Sequence, residues 1–173
     1  DYDFRIFDNL GEMRDEILKR DDEHGLSRLV AGYAWDWVSK TDQTKPDIVV
    51  DGVELFWNRS ALDWVNSPTS RDEVGSIHTI QGYDLNYAGV IIGKDIGYEE
   101  KTGNVFFRRE NYFDKKGKEN NSRLGIEFSD QDLLDYVLNV YRVLLTRGVL
   151  GTYLFIEDQG LMTTIAENSS LSN

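Results

Sequence analysis

The 173-residue chain contains no cysteine, so neither a disulfide framework nor a thiolate zinc site can organise it. Histidine is nearly as scarce. His24 and His78 are the only two, too few and too far apart in sequence for a metal cluster, so no metal site is expected. No apolar run approaches the roughly 20 residues that a membrane-spanning helix needs, and the first residues do not form a signal peptide. We therefore expect a cytoplasmic protein with no membrane partner. The chain opens at Asp1 rather than at a methionine, and we expect it to be a portion of something longer.

Positive charge is also in short supply. Nineteen Lys and Arg face 31 Asp and Glu, a net charge of −12, which argues against a generic phosphate-binding surface, because such surfaces are built from Lys and Arg. The deficit is uneven. Residues 101–123 carry seven basic and three acidic side chains, 7 − 3 = +4, which leaves −16 for the rest. That segment reads as a solvated surface insertion, with a local phosphate-contacting patch as the alternative.

What is present is enough for one domain. Forty per cent of the residues are hydrophobic, with four Trp and nine Tyr, sufficient for a core without staples and contrary to disorder. Residues 4–7 read as a strand, and Asp8 or Asn9 offers an N-cap to a helix with Leu10, Met13, Ile17 and Leu18 at helical spacing and Gly25 at its end. Residues 27–34 form the next strand. Strand, helix and strand in about thirty residues make a βαβ unit, so the two strands should be parallel. Apolar runs on both sides of Asp51-Gly52 predict a hairpin over 47–58, an antiparallel excursion from the main sheet. Residues 60–65 read as a short helix carrying Trp64. The clearest helix starts at Ser129 or Asp130, buries Leu133, Val137, Tyr141 and Leu144, and stops near Gly148, which suits a left-handed C-cap. A last strand follows at 152–156. Residues 94–123 read as an insertion with its tip near Lys115 to Lys118, and 159–173 as a polar tail. The expected domain is 1–158.

The polar side chains gather in IHTIQGYDLNYAGVIIG, residues 77–93. An apolar strand over 74–77 enters the turn Thr79-Ile80-Gln81-Gly82, a short helical segment holds Asp84, and a second apolar run follows at 88–92. Such loops set reactive groups at the ends of parallel strands. His78 reads as a half-buried strand residue. His78, Asp84 and a serine could be drawn as a hydrolase triad, but no Gly-x-Ser-x-Gly elbow accompanies them. In AWDWV, residues 34–38, two tryptophans flank Asp36; they either cover the end of the core or offer a stacking surface to a nucleotide or a nucleic acid.

This loop resembles motif V of superfamily 1 helicases. Together with AGYAWDW (31–37), FWN (56–58) and YRVLLTRGVLGTY (141–153), it is most similar to predicted helicase-type ATPases related to the Schlafen helicase-like group, a domain of unknown function. The resemblance covers most of the chain. It implies a RecA-like (P-loop NTPase-type) α/β fold with a mainly parallel sheet, helices on both faces and the hairpin as excursion. It also implies the second motor domain of an ATP-dependent helicase or translocase. YRVLLTRG is similar to motif VI, which makes Arg147 the arginine finger that meets the γ-phosphate of ATP held by another domain; its alternative is a helix-terminal arginine that satisfies carbonyls. Arg142 becomes a second phosphate contact or a structural ion pair. Thr79 and Gln81 are assigned to single-stranded nucleic acid, and Gly82 and Asp84 to the nucleotide side. Asp84 stands where the family usually has Glu.

The phosphate-loop motif Gly-x-x-x-x-Gly-Lys-Ser/Thr is missing, as is an acidic Walker B strand end. ATP and Mg²⁺ are thus expected only in the longer parent, held with an N-terminal phosphate-loop domain, and the chain alone should not hydrolyse ATP. The alternative function is a non-catalytic protein-interaction module on the same fold.

Overall fold

The computed structural model describes residues 2–60, 62–114, 118 and 127–170. Strand β1, Asp3–Phe7, leads to Asn9, whose side chain accepts the Glu12 amide at 3.0 Å and so starts α1, Leu10–His24. Gly25, at φ +70°, ends it. Strand β2 is Ser27–Ala31. Strands β3, Ile48–Val50, and β4, Val53–Trp57, pair antiparallel about Asp51 and Gly52, both at positive φ as the tight hairpin turn requires. Strands β5, Glu73–Gly75, and β6, Leu85–Ile92, follow. Strands β7, Ile96–Glu99, and β8, Asn104–Phe107, form a separate two-stranded ribbon. Helix α2, Asp130–Leu145, opens with a capping box between Ser129 and Asp132. Strand β9, Gly148–Ile156, and helix α3, Gln159–Ser170, complete the described chain.

The seven-stranded sheet has the order β1-β9-β6-β2-β5-β4-β3, and every neighbouring pair is parallel except β3 with β4. β1 and β2 are parallel as expected, but β9 and β6 lie between them. Successive side chains on a strand point to opposite faces. Leu29, Ile91 and Phe155 therefore join Leu10, Met13 and Ile17 of α1 in one core, while Val30, Val90 and Leu154 join Leu133, Val137 and Leu144 of α2 in the other. A sheet covered on both faces needs strands that are apolar throughout. This is the mainly parallel α/β architecture of a RecA-like domain, with the antiparallel excursion in place.

Four local expectations change. The polar stretch after residue 158 is a helix, because Leu161, Met162 and Ile165 of α3 find the α2-side core. Among the described residues of 60–65 no α-helix forms; a single 3₁₀ turn, Trp64–Asn66, takes its place, and Trp64 Nε1 donates to the buried Glu73. No helix holds Asp84 either; 77–82 are turns. Gly148 does not cap α2. It is the first residue of β9, where a Cβ would overlap the carbonyl oxygen of Gly151. In the insertion, Arg108 pairs with Asp158 and Arg109 with Asp130, so two of its cations bind the fold together. Of the expected tip at 115–118, residues 115–117 lie outside the described residues, and Lys118 donates to the Tyr112 carbonyl at 2.5 Å.

Asp95 follows β6 and is fully buried, with both carboxylate oxygens accepting from Tyr141 Oη at 2.8 and 3.0 Å. Burial pushes its carboxyl up to about 7, against the hydrogen bond from Tyr141, which acts in the opposite direction. A carboxyl raised in the fold contributes stability below its unfolded pKa of about 4, and that contribution is lost as pH rises through about 7. Urea melts across this window should therefore show stability falling with pH. Asp95→Asn, which keeps an acceptor for Tyr141, should flatten that slope.

Candidate functional site

The connection between β5 and β6, residues 76–84, crosses from the carboxyl edge of the sheet to the amino edge. β6 alone spans eight residues, so the two edges are on the order of 25 Å apart. Thr79 folds the start of the connection on itself: its hydroxyl accepts the Ser76 amide at 2.8 Å and donates to the Ser76 carbonyl at 2.9 Å. Ile80 is buried and anchors the middle. Gly82 sits at φ +85° with open space where a Cβ would be, so the backbone conformation is what calls for glycine there. Tyr83 donates to Asp63 at 2.7 Å on the far side.

At the amino edge the connection meets the turn that joins α2 to β9. The Leu85 amide donates to the Arg147 carbonyl at 2.9 Å. Arg147 Nη1 lies 3.6 Å from Asp84 Oδ1, with the side chains 28 % and 71 % exposed. Arg147 Nε is sealed from solvent without a hydrogen-bond partner. The fold thus unites Asp84 with Arg147 across 63 residues of sequence. It leaves the others apart. Arg142 is exposed on α2 and makes no ion pair among the described residues. Gln81 is exposed in a shallow depression against Tyr136, Asn139 and Val143 of α2. His78, expected half-buried in a strand, is exposed in the turn, with its ring 6.0 Å from that of Tyr33.

At the carboxyl edge, past the ends of β2, β4 and β5, a cleft of about 510 Å³ opens. Tyr33, Trp35, Trp37, Trp57 and Phe113 supply aromatic walls, and Ser76 brings the start of the crossing connection into it. Trp35 packs against the α1-side core, whereas Trp37 is 41 % exposed with the Lys40 ammonium 5.5 Å from its ring centre. In the AWDWV stretch Trp35 therefore covers the end of the core, and Trp37 does not. Asp47 holds the segment in place. Its buried carboxylate accepts the Ser39 amide, the Ser39 hydroxyl and the Trp57 amide, each at 2.7 Å.

Sequence reasoning missed Asp47, Asn58 and Phe113. Asp47 precedes an apolar run like any strand-start acid, and Phe113 is held at the cleft by the hydrogen bond its backbone amide donates to the Tyr33 carbonyl, 80 residues away. FWN was singled out, and it ends at Asn58, but nothing local marked that side chain as facing a cavity.

With this geometry in view, comparison with known proteins is informative. A family model described as Schlafen group 3, DNA/RNA helicase domain, matches residues 1–158. The uncharacterized protein YPL245W of Saccharomyces cerevisiae is 34 % identical over 165 residues, covering 92 % of this chain and 36 % of the yeast protein. The chain thus spans about a third of the length of that relative. No solved structure matches it. Among the described residues no helix is long and apolar enough to cross a membrane.

Proposed function

The chain belongs to the Schlafen group 3 DNA/RNA helicase-domain family, and from that premise we propose that it is the second motor domain of a helicase-type ATPase. One observation carries the reading. The connection 76–84 begins in the aromatic cleft at one edge of the sheet and ends at other edge on Asp84, the partner of Arg147. A strand held at the first edge and a nucleotide at the second are thereby linked by nine residues of backbone.

Arg147 suits an anion. Its Nε is sealed inside, and its outer fork is held only by one long, exposed ion pair through Nη1. A guanidinium is always charged and offers planar donors to phosphate oxygens. The chain carries no Gly-x-x-x-x-Gly-Lys-Ser/Thr motif, so in this reading Mg²⁺ and the β-phosphate fall to the phosphate-loop domain of the parent. ATP, when bound there, supplies the γ-phosphoryl group. Arg147 then offers donors to the charge that builds on transfer, and Asp84 releases it and so reports the event to the connection. Arg142, from its exposed place on α2, is a candidate second contact. Thr79 shapes the turn, Gly82 allows it, and Gln81 faces the α2 side.

Two measurements test this. The 173-residue chain alone, lacking a phosphate loop, should show no magnesium-dependent ATP turnover. In the full-length parent, Asp84→Ala should lower the stimulation of hydrolysis by single-stranded nucleic acid by roughly 5–150-fold, the usual span of a coupling between two sites, and by more than it alters basal hydrolysis. Stimulation unchanged in a folded Asp84→Ala parent would instead favour an interaction module in which Arg147 is structural.

A further inference from the structure

The aromatic cleft holds one polar group with nothing to do. Asn58 lines it and is only 6 % exposed, yet its carboxamide makes no hydrogen bond among the described residues. A buried amide without a partner is costly. Its atoms are nonetheless not sealed off, unlike Tyr112 Oη and Glu157 Oε2. The carboxamide is therefore open to the cleft, where a ligand can satisfy it. It offers a donor and an acceptor side by side, flanked by aromatic rings of which Trp37 and Phe113 are 41 % and 38 % exposed.

We propose that this cleft takes one unstacked nucleobase of a single strand, stacked on its aromatic walls and read along its edge by Asn58. The inference rests on the motor-domain reading and gives its nucleic-acid site a location that neither Thr79 nor Gln81 supplies.

A planar heterocycle fits each element of the cleft. Every base has a π-face for the rings, so stacking provides affinity without sequence preference. The carboxamide adds selectivity, because a paired donor and acceptor match the edge of some bases and not others; asparagine is bidentate to adenine in this manner. The charges agree with a base rather than a phosphate at the centre. Asp36 and Asp114 line the cleft and Lys40 is its cation among the described residues, so the sugar-phosphate chain must stay at the rim. Ser76, at the start of the crossing connection, lies on the cleft wall. Occupancy is felt at once by the segment that leads to Asp84 and Arg147.

The test uses the 173-residue chain with ten-nucleotide homopolymers of A, C and T, a ten-unit abasic strand, free nucleoside monophosphates and an aromatic-rich peptide. Binding is followed by tryptophan fluorescence and by calorimetry. The base-bearing strands should bind, the abasic strand should not, and one base should be preferred. Trp37→Ala should weaken binding by roughly 5–150-fold, the range for loss of one base–aromatic stack. Phe113→Ala, a second exposed ring, should act in the same direction, and circular dichroism checks that both variants fold. Asn58→Ala should level the preference among bases while the strands still bind. Equal binding of the abasic strand, or full affinity in both aromatic variants, overturns the cleft as the site. Monophosphates that bind as tightly as strands would make it a small-nucleotide site and overturn the strand. Binding of the peptide alone would make it a protein-docking cleft. These failures are separable from failure of the motor reading, which is judged by turnover of the parent with Asp84 and Arg147 altered.

Discussion

Arg147→Ala in the full-length parent is expected to lower ATP turnover by roughly 10³–10⁵-fold, the range an arginine finger supplies. Nucleotide affinity should change far less, since the phosphate loop of the other domain carries most of it. Arg147→Lys should fail nearly as badly, because an ammonium cannot reproduce the planar fork. Stability should barely move. The pair with Asp84 is long and its acidic partner is 71 % exposed, and exposed pairs contribute about 1 kcal/mol or less. A purely structural arginine gives the reverse: a lower melting temperature, with surviving folded protein that keeps its turnover. Turnover and melting measured on both variants separate the two, and full activity in folded Arg147→Ala would end the assignment.

The second large effect is expected at Asp47, through stability. The residue is 7 % exposed, and its carboxylate accepts three hydrogen bonds at 2.7 Å. Asp47→Ala strands two buried amides and a hydroxyl at once, and each such group costs about 1–3 kcal/mol. We expect a loss of about 3–5 kcal/mol in a urea melt. Asp47→Asn keeps one acceptor oxygen and should fall between. Because the bonds join the Trp37 segment to β4, the fluorescence of exposed Trp37 should change at urea concentrations below the main transition in Asp47→Asn. An unfolding free energy within about 1 kcal/mol of the unsubstituted chain for Asp47→Ala would show that water replaces the carboxylate without difficulty.

The sheet core and its two covers were legible from residue patterns because their signals are local. Alternation and apolar runs marked β1, β2 and β6, helical spacing marked α1 and α2, and Asp51-Gly52 marked the hairpin. Asn9 and Ser129 announced helix starts through capping chemistry that spans three residues. Helix α3 was not legible. Its mean composition is polar, and it is ordered by a few apolar side chains that pay off only against a core built elsewhere. Gly148 misled for a related reason: glycine after a helix suggests a left-handed cap, whereas here backbone crowding by Gly151 excludes a side chain.

For the site, motif resemblance singled out Asp84 and Arg147 by their neighbours in sequence, and the parallel pairing of β6 with β9 brought them within 3.6 Å. The sequence alone determined the residue types, the cap positions, the apolar runs that demand a sheet buried on both faces, and the absence of a phosphate loop. Tertiary structure alone decided which edge each side chain reaches, that the connection 76–84 joins the two edges, and that Trp37, Asn58 and Phe113 share one cleft. The reason is physical. Helical and strand periodicity act over a few residues, whereas strand order and crossovers place residues 30 to 80 positions apart side by side, and no local propensity encodes that juxtaposition.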